Sequence, residues 1–263
     1  MKTLTVVGRA LSFFDEGSGS PLVFLHAFPL GPAQWKEQIA LFSLTRRCIA
    51  LAAPGLGSDA FSSPPSLDEY AEDLAHLLDS LKINEPIVLC GLSLGGYTAQ
   101  IFAHRFPERL RALVLCDTRA GADDAATRQK RDETIAFTLS HTTAEIWERL
   151  HPNLFGDTSL QSRPKTVEAA QQIALHHAPA AFAAATAALR DRPDMKAWLP
   201  EIRVPTLLIF GAEDKLAPPE EIAALQTIRG ARLETIDGAG HLANLEAPDA
   251  FNDVLAKFFT EID

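Results

Sequence analysis

At 263 residues and 47% apolar side chains, the chain can fill the core of one large domain or of a domain with an insertion, which excludes intrinsic disorder. Its 34 acidic against 24 basic residues give a formal charge of −10, the wrong sign for holding a phosphate backbone, so nucleic acid is not expected as a partner. The first residues lack the apolar stretch and small-residue cleavage site of a secretory signal, and no apolar run reaches the ~20 residues that span a bilayer, so a cytoplasmic protein with no membrane partner is expected.

Residues 4–7 and 10–14 alternate as an antiparallel hairpin does, and the turn-rich Asp15-Glu16-Gly17-Ser18-Gly19-Ser20 joins them to the next strand pattern. Short apolar runs rich in branched side chains then recur at 21–28, 47–52, 86–90, 111–116, 204–210 and 232–236, with helical patterns between them. That alternation predicts an α/β fold, a mostly parallel, doubly wound sheet of about eight strands covered by helices on both faces. Ser66-Leu67-Asp68-Glu69 is a capping box opening a crossover helix with an apolar stripe of Leu67, Tyr70, Leu74, Leu77, Leu78 and Leu81. Cys48, Cys90 and Cys116 are odd in number and lie in or beside buried-strand patterns, as free core thiols do.

Roughly 86 residues separate Asp117 from Val204, far more than an α/β connection requires. Their patterns are all helical, at 123–139, 143–150, 164–177 and 179–189. A helical cap over residues 119–195, inserted after the sixth strand, is therefore expected over the C-terminal edge of a core made of 1–118 and 196–263.

Directly after the strand pattern 86–90 comes Gly91-Leu92-Ser93-Leu94-Gly95-Gly96, followed by a helical pattern over 97–106. This is the G-x-S-x-G turn in its required strand–turn–helix context, where small residues flank the serine because the tight backbone leaves no room for a Cβ. A serine hydroxyl is a poor nucleophile near neutral pH and needs a base, which in turn needs a group to fix its tautomer. Asp214, in Phe210-Gly211-Ala212-Glu213-Asp214, and His241, in Asp237-Gly238-Ala239-Gly240-His241, follow late strands in the expected order. Glu213 is a neighbouring rival for the acid, Asp117 at the end of the preceding strand is a second, and Asp214 could simply cap the helix beginning near Pro218. His76, His104, His141 and the His176-His177 pair fall in helical or cap patterns, and His176-His177 reads as a helix surface. An oxyanion on the attacked carbonyl would be met by the amide of Leu94, at a helix N-terminus, and by the amide of Phe28 in His26-Ala27-Phe28-Pro29, whose ring would line the acyl pocket.

Gly55-Leu56-Gly57-Ser58-Asp59-Ala60 fits the dinucleotide pattern G-x-G-x-x-A, but it leads into Ser62-Ser63-Pro64-Pro65 instead of opening a helix. The chain also lacks H-E-x-x-H, paired C-x-x-C and the nucleotide P-loop pattern, so neither a metal nor a cofactor is implied.

With these motifs in order, the sequence resembles the α/β-hydrolase fold superfamily over nearly its full length, adding Pro54-Gly55-Leu56-Gly57 to the segments above. It is most similar to the capped group of small carboxylesterases, 3-oxoadipate enol-lactonases and pimeloyl-carrier methyl ester esterases. The resemblance implies a serine hydrolase with a Ser93–Asp214–His241 triad, cleaving a small ester or ester-like acyl bond through an acyl-serine intermediate, with no cofactor. Ala27 and Ala52 depart from the glycine and aspartate usual at those positions. Serine at the nucleophile position argues against dehalogenase or epoxide hydrolase chemistry. Lactone or C–C bond hydrolysis, acyl transfer or perhydrolysis, and a non-enzymatic small-molecule receptor remain alternatives that the triad alone does not separate. A small-molecule ester or lactone is the expected partner, on a monomer or homodimer. Whether Arg119, Arg128, Arg131, Arg149, Arg163, Arg190 or Arg192 faces the pocket decides between a carboxylate-bearing and a neutral substrate.

Overall fold

The computed structural model describes residues 1–57 and 66–263. Ser58-Asp59-Ala60 and Ser62-Ser63-Pro64-Pro65, the second half of the discounted dinucleotide pattern and its continuation, lie outside the described residues. One eight-stranded sheet runs in the order β1-β2-β4-β3-β5-β6-β7-β8. Its strands are β1 (Lys2–Val6), β2 (Arg9–Glu16), β3 (Pro21–Leu25), β4 (Arg47–Leu51), β5 (Ile87–Leu92), β6 (Leu110–Cys116), β7 (Thr206–Gly211) and β8 (Arg232–Ile236). Only β1–β2 and β2–β4 pair antiparallel; the other pairs are parallel. The sequence hairpin is therefore the edge of the sheet, and it extends two residues further at each outer end than the alternation suggests. β3, β5 and β7 are buried at every residue, which is why they read as continuous apolar runs without alternation.

The order of winding reverses between β3 and β5, so the loops that leave the C-terminal ends of these two strands diverge and open a crevice there. The helices α1 (Lys36–Phe42), α2 (Leu67–Ser80) and α3 (Leu94–Arg105) belong to this half of the chain. At α2 the capping box forms as its motif predicts, with Ser66 and Glu69 satisfying each other's amides. Leu67, Tyr70, Leu74, Leu77 and Leu78 are buried, and the Tyr70 hydroxyl donates to the carbonyl of Leu51 at 2.8 Å. The three cysteines are free and buried, in keeping with their setting in strand patterns.

Between β6 and β7 lie α4 (Ala125–Ser140), α5 (Thr143–Leu150), α6 (Asp157–Ser162), α7 (Pro164–Ala174) and α8 (Pro179–Arg190). The short α6 has no counterpart among the helical patterns of the sequence, because six residues are too few to display a helical period. α7 stops at Ala174 rather than 177, and His177 turns inward, 9% exposed, to pack on Phe182; only His176 of that pair is on the surface. After β7 come α9 (Pro219–Leu225), α10 (Ala243–Glu246) and α11 (Pro248–Ile262). No described helix is long and apolar enough to cross a membrane.

Trp35 ties the two ends of the chain together. It is fully buried, stacked on Phe24 of β3 with ring centres 4.7 Å apart and against Phe251 of α11 at 6.1 Å. Its indole nitrogen has no partner among the described residues. Trp35→Ala is expected to cost about 3–5 kcal/mol through the cavity it leaves. Trp35→Phe keeps the stack and removes an unpaired donor, so its cost in urea unfolding should stay under about 1.5 kcal/mol.

A hydroxyl, an imidazole and a carboxylate at the strand ends

Ser93 sits between β5 and α3 with φ 54° and ψ −110°, a backbone conformation that most side chains avoid. Neighbouring contacts hold it there. The Ser93 amide donates to the carbonyl of Cys116 at 2.9 Å, and its own carbonyl accepts from the Thr118 hydroxyl at 3.0 Å. The Gly95 amide donates to the carbonyl of His26 at 3.1 Å, and a Cβ on Gly95 would run into the backbone of Leu25. Gly95 is thus required by the close approach of α3 to the end of β3, while a Cβ on Gly91 would strike the backbone of Gly95 and one on Gly96 the side chain of Thr118.

His241 follows β8 and reaches Ser93, its Nε2 lying 2.8 Å from the serine Oγ. Its Nδ1 lies 3.0 Å from both oxygens of Asp214, at the end of β7. The hydrogen-bond pattern therefore assigns the Nδ1–H tautomer, with Nε2 free to accept the serine proton. Both partners are nearly enclosed, with side-chain exposures of 6% and 2%. Burial pushes the Asp214 carboxyl up, but the charge and hydrogen bond of His241 and the amides of Leu216 and Ala217 outweigh it and hold the group below the usual carboxylate range. The amide of Leu216 also makes Asp214 a turn-capping residue, so the structural and the site roles coexist.

The two rival carboxylates go elsewhere. Glu213 accepts from the amide and hydroxyl of Thr158 in α6. Asp117, completely buried with φ 44°, accepts from the amide of Gly211 at 2.8 Å, while its second oxygen has no partner among the described residues. Burial, then the charge of Asp214, drive its pKa well above the ordinary value. The geometry couples His241 to Asp214, and Asp117 stands behind the pair.

The amides of Phe28 and Leu94 donate to no other described residue. Leu94 opens α3, and the ring of Phe28 packs edge-on against Phe182 of α8 at 5.7 Å. The loop that carries Phe28 is held by His26 of its own motif and by three polar residues with no legible signal in the sequence. His26 donates from Nδ1 toward the carbonyl of Ala27 and accepts at Nε2 from the amide of Ala53, both within 3.0 Å. The Ala27 amide donates to Gln34, whose amide group donates to Asn244 at 3.0 Å, and Asn244 bonds on to Gln38. A buried chain of amides thereby links this loop to α10, just beyond His241. Gln34, Gln38 and Asn244 are isolated polar residues in helical stretches, and only their mutual proximity in the fold reveals them.

The seven arginines singled out in the sequence are engaged. Arg119, Arg131 and Arg192 converge on Asp123, Arg128 and Arg190 pair with Asp191, Arg163 donates to the carbonyl of Gly238, and Arg149 lies over the ring of Phe137.

Residues 22–254 match the alpha/beta hydrolase family. Among relatives, the 3-oxoadipate enol-lactonase 2 of Acinetobacter baylyi is 28% identical, the match covering 95% of this chain and 93% of that one. Among solved structures, the fold is similar to a thermophilic esterase from Thermogutta terrifontis at 31% identity and a TM-score of 0.93, covering 99% of this chain and 98% of the other. It is also similar to the enol-lactonase from Burkholderia xenovorans LB400, at 26% identity and TM-score 0.89 over 98% and 100% of the two chains.

Burial gives this site a pH-dependent stability. It pushes His26 down to about 3 and His177 down to about 4, so both are neutral in the fold and gain a proton on unfolding below the unperturbed value of 6.5. Their contribution is complete above pH 6.5 and is lost as pH falls toward those folded values, at ~1.4 kcal/mol per pH unit for each group. Asp73, which burial raises to about 6, opposes one of them below that pH. Urea unfolding at pH 7.5 and 5.0 should show His177→Phe losing about 2 kcal/mol less than the wild type over that interval. An identical loss in both proteins would mean that His177 is charged in the fold.

Proposed function

The chain belongs to the alpha/beta hydrolase family, and from that premise and the site geometry we propose that it is a serine hydrolase cleaving small, neutral carboxylic esters or lactones. The single observation that carries this reading is the 2.8 Å approach of the Ser93 hydroxyl to an imidazole oriented by a buried carboxylate. In this mechanism Ser93 Oγ attacks the carbonyl carbon as His241 Nε2 takes its proton. Asp214 stabilises the imidazolium through Nδ1–H. The amides of Phe28 and Leu94 stabilise the tetrahedral oxyanion, the alcohol leaves with the proton held by His241, and water repeats the sequence to release the acid. In a lactone the leaving alcohol stays tethered to the acyl group, and the steps are otherwise the same.

Residues 119–195 act in this reading as a cap that closes the acyl pocket, with Phe182 and Phe28 forming an apolar wall. A neutral substrate is supported by the arginines: six of the seven hold an acid or a carbonyl and Arg149 lies over the ring of Phe137, and drawing one of three from the fully enclosed Asp123 would weaken the compensation of that buried charge. The names of the relatives, which include both esterase and enol-lactonase, agree with the bond type.

Two substitutions test the assignment on p-nitrophenyl acetate. Ser93→Ala removes only the attacking oxygen and is expected to lower kcat/KM by at least roughly a thousandfold with the fold intact; retention of more than about a tenth of the wild-type value would refute Ser93 as the nucleophile. Asp214→Asn should lose on the order of 10⁴ in kcat by stabilising the wrong histidine tautomer. Asp117→Asn should lose less than about tenfold, because Asp117 makes no hydrogen bond to His241 and the amide oxygen can still accept from Gly211. The opposite ranking would transfer the role of the acid to Asp117.

A further inference from the structure

His241 is bracketed by a carboxylate that the proposed mechanism does not use. Glu246, the last residue of α10, is 3% exposed. Its Oε1 accepts from the amides of Gly240 and Leu242, at 2.9 and 3.1 Å, so it binds the residue on each side of His241. Its Oε2 accepts from the amide of Gly156 at 2.9 Å, in the segment leading into α6. The same segment meets the Asp214 loop, where the neighbouring Glu213 accepts from the amide of Thr158 at 2.9 Å and from its hydroxyl at 2.5 Å. The approach is close enough that a Cβ on Gly240 would strike the backbone of Gly156, and a Cβ on Gly156 would come within 3.0 Å of the amide of Gly240. Arg163, just past α6, adds a bond to the carbonyl of Gly238 at 2.6 Å.

We propose that Glu246 is a positioning residue for His241 and that Gly156 of the cap completes its seat, so that the cap segment 156–163 fixes the histidine and acid loops as one unit. This rests on the reading of His241 as the base. The physical ground is satisfaction of donors: three buried amides converge on one carboxylate, and no other described acceptor takes them. With both neighbours of His241 tethered to one rigid acceptor, the histidine backbone cannot rotate its ring away from Ser93 without breaking charge-assisted bonds. A cap bound this way helps to set the geometry of the reacting groups, beyond shaping the pocket.

In Glu246→Gln the volume is kept, but an amide NH2 now faces one set of donors, so either Gly156 or the pair around His241 is left unpaired. Competent Ser93 is counted by burst titration, and kcat is expressed per titrated site. The expected result is a fall of roughly tenfold or more in kcat per site with KM within twofold of wild type, because misplacement of a catalytic group by a fraction of an ångström acts on the reaction step. A merely structural role would lower the melting temperature or the number of competent sites and leave kcat per site unchanged, and that outcome overturns the proposal. Should Glu246→Gln fail to fold, Gly156→Ala decides: it keeps the carboxylate but displaces the cap segment, and an unchanged kcat per site would equally overturn it. His241→Ala run alongside separates the two readings. If it stays active, the base is misassigned; if it is inactive while Glu246→Gln behaves as wild type, only the role of Glu246 is wrong.

Discussion

The first turn of α3 lies against the last backbone of β3, close enough that Gly95 has no room for a side chain, and its amide closes a bond onto His26. That contact dictates the rest of the site. It holds Ser93 in a left-handed turn at the C-terminal end of β5, where the hydroxyl meets His241 while the backbone is pinned by Cys116 and Thr118. It also ties the loop after β3, which carries Phe28, to the first turn of α3, which carries Leu94, because the two share that hydrogen bond. A strain of order 1–3 kcal/mol at such a residue persists because the surrounding contacts over-determine it.

Around this turn the chain places four carboxyl groups, and each has different partners. Asp214 faces an imidazole and two amides and stays ionised despite burial. Asp117, completely buried beside the charge of Asp214 and accepting from the amide of Gly211, has its carboxyl pushed well above the ordinary range. Glu213 and Glu246 face backbone donors from the α6 segment and act as anchors for the loops. Burial and like charge thus push Asp117 in the opposite direction from Asp214. Burial acts on the histidines too: His26, with both nitrogens committed to backbone, stays neutral, and its fixed tautomer holds the loop on which Phe28 sits.

Much of this was legible in the residues. The alternation of apolar runs with helical stretches located the strands of the sheet to within one to three residues at most ends, and G-x-S-x-G in its strand–helix setting located the turn of Ser93. Asp214 and His241 were found by their order and by the glycines ahead of them, and the structure brings both to Ser93. What the sequence did not show has a common cause. α6 is too short to display a period, and Glu246, Gln34 and Asn244 bind backbone amides and side chains supplied by distant segments. Backbone donors carry no side-chain signature. The inward turn of His177 was hidden for a related reason, since a helical pattern says which face a residue occupies only while the helix continues, and α7 ends at Ala174.

The chemistry assigned to this site depends on a covalent bond to one atom. Incubating the protein with a small neutral fluorophosphonate and following intact mass, then mapping the modified peptide, tests it directly, since phosphorus traps an activated serine without requiring knowledge of the natural ester. The prediction is a single adduct per chain on Ser93, formed at a rate that collapses in His241→Ala. Ester hydrolysis that persists once Ser93 is fully labelled, or hydrolysis abolished by an adduct on another residue while Ser93 stays unmodified, would contradict the assignment of Ser93 as the nucleophile.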